Sequence, residues 1–176
     1  ILSGLVGSEM CIRDRDTYKP LFDPKYFDYT GLDIESGNNV DIVPENTFVW
    51  KELADDTFDI IVSGQTFEHN PFFWVTFCEM SRVVKPGGYI FIVAPGGGFV
   101  HRYPYDCWRF YPDSWRSLAT LTGIDLIESY YETGFIASLV SSGTWHDSAM
   151  IGRKPILSEN EHQLLQNRIK YLIAPY

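Results

Sequence analysis

Positive charge is scarce in this 176-residue chain, where 14 Lys and Arg stand against 23 Asp and Glu for a formal charge of −9. Such a balance repels a phosphate backbone, because nucleic-acid affinity rests on Lys and Arg clusters that displace counterions. A nucleic-acid partner is therefore not expected. Cysteine is scarce as well: Cys11, Cys78 and Cys107 form no C-x-x-C pair, and their odd count argues against a disulfide framework. That usage suits a reducing, cytoplasmic location. No apolar run reaches the roughly 18 residues that cross a bilayer, and the first residues lack a charged-then-apolar signal layout, so no membrane partner is expected. The four histidines, His69, His101, His146 and His162, show no ligand spacing, and the sequence predicts no metal site. His146 and His162 are expected on solvated surface.

What is present is globular: 45% of residues are hydrophobic and 16% aromatic, enough for one domain with a real core. Ile1 to Arg15 has no clean periodicity and resembles translated adaptor sequence, so it reads as a non-native leader. Strands are predicted at Phe27 to Ile34, Val40 to Val43, Phe58 to Ser63, Tyr89 to Ala94, Asp125 to Tyr131 and Ser148 to Ile151. Phe73, Phe77, Met80 and Val84 recur at helical steps before the Lys85-Pro86-Gly87-Gly88 stop. Further helices are predicted at Pro112 to Thr122 and from about Ser158 to Ile173. Alternation of strands with helices implies an α/β fold, a mostly parallel sheet covered on both faces.

In such a sheet ligands bind beyond the carboxyl ends of the strands. Asp33 ends one strand, where a carboxylate can accept both hydroxyls of a ribose, although an Asp before a turn is also an ordinary turn former. Ser63-Gly64-Gln65 follows another strand and leads to Glu68 and His69, which either face a ligand or cap the next helix. His101 to Pro112 packs aromatics, both charge signs and two prolines into twelve residues. That density suits a ligand-binding loop, or a rigid cover in which Asp106 and Arg109 pair with each other. Cys78 is expected to pack inside a helix, and no nucleophile is evident.

Taken in order, Tyr29 to Ile34, Phe58 to Ser63, Phe67-Glu68-His69 and Glu79 to Ile90 resemble the successive motifs of class I S-adenosylmethionine-dependent methyltransferases of the type 11 kind. The segment His101 to Phe110 resembles a bacterial subgroup associated with polysaccharide or other small-molecule pathways. The resemblance implies a Rossmann-like sheet of seven strands ending in an antiparallel hairpin, with a core over residues 16–154 and a C-terminal helix over 155–176. It implies S-adenosyl-L-methionine as cofactor, held by Asp33, by Glu45 and Asn46 in the adenine loop, and by Ser63, Gly64, Gln65 and Glu68. Transfer would go to a small-molecule acceptor, such as a sugar or polysaccharide precursor. His101, His69 and Asp106 are the candidates for removing a proton, and Tyr103, Trp108 and Arg109 for shaping the acceptor pocket. The sequence departs from the family at the start, where no strand and glycine-rich turn are recognisable before Asp16. The first strand is therefore expected to be lost, which keeps open a truncated, non-catalytic domain that binds a nucleoside or a protein. A nicotinamide enzyme is the weaker alternative, since G-x-G-x-x-G is absent.

Overall fold

The computed structural model describes residues 2–7, 18–102, 104–133 and 145–176. Six strands, β1 Leu2–Gly7, β2 Phe27–Leu32, β3 Phe58–Gly64, β4 Val84–Pro95, β5 Asp125–Tyr131 and β6 Asp147–Arg153, form one sheet in the order β2-β1-β3-β4-β6-β5. Strands β2, β1, β3 and β4 run parallel, whereas β6 is antiparallel to β4 and to β5. Helices α1 Phe73–Val83, α2 Pro112–Thr122 and α3 Glu159–Ile173 complete the domain. The chain leaves β1 toward β2 on one side and returns to β3 on the other. The strand order therefore reverses beside β1, and a crevice opens at the carboxyl ends there.

Two expectations change. The place of the first strand, expected to be empty, is taken by Leu2–Gly7, whose backbone pairs with β2 from Leu2↔Phe27 to Gly7↔Leu32 and with β3 at Gly4↔Ile60 to Val6↔Val62. The Ser3 amide also donates to Asp59 Oδ2 at 2.8 Å. Residues 8–17, where the glycine-rich turn would follow, lie outside the described residues. Second, the sheet has six strands among the described residues, not seven. Val40 to Val43 is reduced to one parallel bridge between Ile42 and Leu32. The amides of Asp41 and Ile42 both donate to Gly31 O, while Asp41 Oδ2 accepts from the Gly31 amide, so this segment turns back over the edge of β2.

Elsewhere the boundaries follow the side chains. β3 is apolar nearly throughout, with Phe58 and Ile61 buried, as a strand covered on both faces should be. Helix α1 is buried well beyond the stripe of its heptad-like spacing. Phe77 and Met80 face the sheet core, and Val75 and Cys78 face Ile169 and Ile173 of α3. The Lys85-Pro86-Gly87-Gly88 stop lies inside β4, where register passes from Phe58↔Val84 to Ile60↔Tyr89 and four residues bulge out. Gly87 adopts φ +81°, a conformation side chains resist. Pro112 opens α2, and Gly123 closes it in the left-handed region.

Beneath α1, buried Glu79 and Arg82 pair with each other. Arg82 also donates to Leu53 O at 2.7 Å, Trp50 O at 2.8 Å and Asp55 Oδ1 at 2.9 Å. A second polar knot fastens α3. Lys154, fully buried, donates to Asp56 Oδ1 at 2.7 Å and Val84 O at 2.8 Å. His162 bonds Asp56 Oδ2 at 2.7 Å, so it is a packed tether and not the solvated residue expected. His146 stacks on Tyr131 at 6.3 Å. Among the described residues no helix is long and apolar enough to cross a membrane.

Candidate active site

A cavity of about 320 Å³ opens at the carboxyl ends of β2 and β3, within the size range of small-molecule sites. Its walls are largely apolar: Leu32 and Ile34 from β2 and beyond, Ile61 from β3, Phe48 and Trp50 from the intervening loop, and Met80 from α1. Polar side chains reach it from Asp33, Thr47, Ser63, Thr66, His69, Asn70 and Thr76. Asp33 lines the cavity just beyond β2. Its Oδ1 accepts from the amides of Ile34 and Glu35, which folds the turn that follows. Ser63 is 1% exposed, lines the same cavity, and its Oγ has no hydrogen-bond partner among the described residues.

The two residues after Ser63 behave differently. Gly64 is buried, and a Cβ there would meet the Tyr18 hydroxyl at 1.9 Å, so any side chain would push the Tyr18 ring aside. Gln65 takes φ +49° and donates to Asp147 Oδ1 at 3.1 Å, which turns it toward β6 and away from the cavity wall. Glu45 and Asn46 are not part of that wall either. Asn46 Oδ1 accepts from the amides of Phe48 and Val49 at 2.8 and 3.1 Å. By forming that turn Asn46 presents its neighbours Thr47 and Phe48 to the cavity. Sequence reasoning missed Thr47, Phe48, Thr76 and Tyr105. Their signal was faint, because none is a strand-end polar residue.

At the far end of the cavity a loop returns from β4. The amides of Cys107 and Trp108 donate to Glu68 O at 2.7 and 3.2 Å, and His69 Nδ1 lies 2.6 Å from Tyr105 O. These bonds pin the loop over the short 3₁₀ turn Phe67–His69. The rings of His69 and His101 meet edge to face with centroids 4.8 Å apart. Both Glu68 and His69 are buried, and His69 Nε2 lies 3.5 Å from Glu68 Oε1. Burial pushes the Glu68 carboxyl up to about 8 and pushes the His69 imidazole down. Among the described residues neither Glu68 oxygen has a hydrogen-bond partner.

Asp106 stands behind His101, with Oδ2 3.5 Å from His101 Nδ1 and 2.7 Å from the His101 amide. Arg109 binds both Asp106 oxygens, at 2.6 and 2.9 Å, and holds that carboxyl down at about 2. An ionised carboxylate so fully bonded is a weak base and a good orienting group. Arg109 also donates to Trp108 O and Phe99 O, so its guanidinium is engaged within the loop. Trp108 donates to Asn70 O at 3.1 Å and stays 39% exposed against Phe73 and Trp74. Tyr103 lies outside the described residues.

Comparison with known proteins agrees with this geometry. A family model described as a methyltransferase domain matches residues 21–92. Among solved structures, a Haloferax volcanii methyltransferase in complex with the Trm112 methyltransferase activator superposes with a TM-score of 0.64 at 15% identity, covering 90% of this chain and 84% of that one. A SAM-dependent methyltransferase from Methanosarcina mazei gives 0.62 at 16% identity, covering 89% and 93%. A methyltransferase from Bacillus halodurans gives 0.62 at 14% identity, covering 88% and 92%. No curated protein sequence matches the chain. The sheet order, the antiparallel end pair and the matched domain define a Rossmann-like methyltransferase fold. The fold is that of S-adenosylmethionine-dependent methyltransferases, and residues 21–92 carry the match to the methyltransferase domain. The residues present fit S-adenosyl-L-methionine, the donor that the methyltransferase resemblance implies: an apolar cavity with a carboxylate at the end of β2 and, at the end of β3, the buried Ser63 hydroxyl, which has no hydrogen-bond partner among the described residues.

Proposed function

We propose that this protein transfers the methyl group of S-adenosyl-L-methionine to a hydroxyl of a small-molecule acceptor, a sugar or polysaccharide precursor being the class that suits it. The observation that carries the reading is the joining of the Asp33–Ser63 cavity to the His69–His101–Asp106 cluster through a shared wall residue, His69. Bound S-adenosyl-L-methionine supplies a sulfonium methyl for in-line displacement. The protein's part is alignment, which in general lowers such a barrier by about 7–11 kcal/mol.

In this reading Asp33 accepts ribose hydroxyls through the oxygen not used by its own turn, Phe48 and Met80 cover the adenine, and Ser63 meets the methionine part. Glu68 lies behind that segment and supports it. Proton removal from the acceptor depends on His101, which Asp106 orients, with His69 beside it. Rings around that end, Phe99, Trp145 and His101 with centroids 4.5 to 6.4 Å apart, give flat apolar surface suited to a sugar face. Trp108 and Arg109 brace this loop from behind. The net charge of −9 further favours a neutral acceptor over a polyanion.

The test is a transfer assay with radiolabelled donor and a panel of free and nucleotide-linked sugars. Label should enter an oxygen-methylated product, and His101→Ala should lower kcat by about 100-fold or more. Label entering RNA or protein but none of the sugars would overturn the acceptor assignment.

A further inference from the structure

We infer that Glu68, His69 and His101 form a binding site for a first-row divalent cation of the zinc type, at the acceptor end of the cavity. The sequence gives no spacing for such a site, since His101 lies 32 residues beyond His69. The fold makes it by pinning the returning loop on the Phe67–His69 turn. One ligand atom from each of the three residues lies within 4.8 Å of the others. Ligands around a tetrahedral zinc ion at 2.0–2.1 Å are separated by roughly 3.4 Å, so a modest rotation of the His101 ring closes the set.

Three features mark the cluster as a built site. The Glu68 side chain is fully buried, yet neither of its oxygens has a hydrogen-bond partner among the described residues. A carboxylate removed from water without partners is costly, and a cation is the usual partner. Next, His69 Nδ1 lies 2.6 Å from Tyr105 O; a carbonyl only accepts, so Nδ1 carries the proton and Nε2, beside Glu68 Oε1, carries the lone pair. Carbonyl-held imidazoles of this kind are what orient metal-binding histidines. Finally, Asp106 lies 3.5 Å behind His101 Nδ1 and is itself gripped by Arg109, which directs His101 Nε2 away from Asp106.

Two imidazoles and one carboxylate favour zinc, cobalt, iron or manganese over magnesium or calcium, which prefer oxygen alone. Three protein ligands leave positions for an exogenous oxygen. The inference rests on the methyl-transfer reading and specifies how the acceptor's proton is lost. The acceptor hydroxyl coordinates beside His69, its O–H bond breaks, the electron pair stays on the oxygen facing the cation, and the proton leaves to water. His101 then serves as a ligand that polarises the hydroxyl, not as the direct proton acceptor. Coordination lowers the pKa of bound water to about 7, which sets the scale for a bound hydroxyl.

Cobalt(II) and zinc(II) titrations of this chain, stripped with a chelator and followed by visible absorption and calorimetry, test the site. One equivalent should bind, and cobalt should show the intense visible bands of a low-coordinate site. Affinity should fall at least about tenfold in His101→Ala and in Glu68→Gln, each checked for unchanged circular dichroism. His101 carries no buried packing comparable to Glu68, so it remains decisive if Glu68→Gln fails to fold. No binding at about 1 mM cation, or unchanged affinity in His101→Ala, overturns the site. The same stripped protein is titrated with S-adenosylhomocysteine. Binding of that ligand without cation binding sinks the metal site alone, whereas cation binding without it upholds the site and sinks the donor reading.

Discussion

Cys78 and Cys107 carry the same thiol and sit in opposite surroundings. Cys78 is 1% exposed between α1 and α3, and burial pushes its thiol up to about 12, whereas Cys107 is exposed on the loop over Glu68. A thiol reagent at neutral pH should therefore modify Cys107 within minutes and leave Cys78 intact until the protein is unfolded, as read by peptide mass spectrometry. Modification of Cys78 in the folded chain would contradict the packing of α3 on α1. At this scale the sequence was legible where a residue's place follows from strand periodicity. Asp33 and Ser63 fall at strand ends, and strand ends line the crevice. It was illegible where a side chain answers a local backbone demand. Asn46 is consumed by the amides of Phe48 and Val49, and Arg109 by Asp106, so residues read as ligand contacts became loop supports. The meeting of His101 with Glu68 and His69 was beyond reach for a third reason, because it depends on how one loop folds back.

Helices and strands were easier to foresee, since hydrophobic periodicity is set by the burial it reports. α2 and β5 fall on their predicted bounds, and Ser158 caps α3 as its Oγ and amide engage Glu161. What periodicity could not show is how the elements are fastened by buried charge. Lys154 ties α3 and the end of β6 to the Asp56 turn and donates to Val84 O, whereas Arg82 O would keep Gln166 and the Asp56 amide as donors without it. Lys154→Met should cost roughly 3 kcal/mol in urea unfolding, as removal of one partner from a buried pair does. A loss below half that would mean Asp56 is satisfied by His162 and Gln166 alone. The neighbouring turn supplies a pH dependence. Burial works to raise the Asp55 carboxyl, but hydrogen bonds from Lys170 and Arg82 outweigh it and hold the group below its ordinary 3.8. A carboxylate depressed on folding stabilises fully above its unfolded pKa and loses that contribution as pH falls through the folded value. Acid unfolding should therefore steepen below about pH 4, and Asp55→Asn should flatten that limb of the stability profile.

At the scale of the whole molecule the strand order does the work of assembly. It reverses beside β1, which sets the ends of β2 and β3 on either side of β1 and makes one cavity from segments about thirty residues apart. The resemblance carried by Asp33, Glu68-His69 and the Pro-Gly-Gly segment foresaw that arrangement. It also led to the expectation that the first strand was lost, an expectation drawn from side-chain pattern, whereas backbone pairing with both neighbours is what places Leu2–Gly7 between β2 and β3. The same fold hosts many chemistries, so the assignment stands or falls on the donor cavity. The most direct measurement is calorimetric titration of the chain with S-adenosylhomocysteine. Binding should appear in the micromolar range, and Asp33→Ala should weaken it about ten- to a hundredfold, the loss expected for charge-assisted bonds of roughly 1.5–3 kcal/mol. No heat at millimolar ligand, or equal binding by Asp33→Ala, would contradict the account.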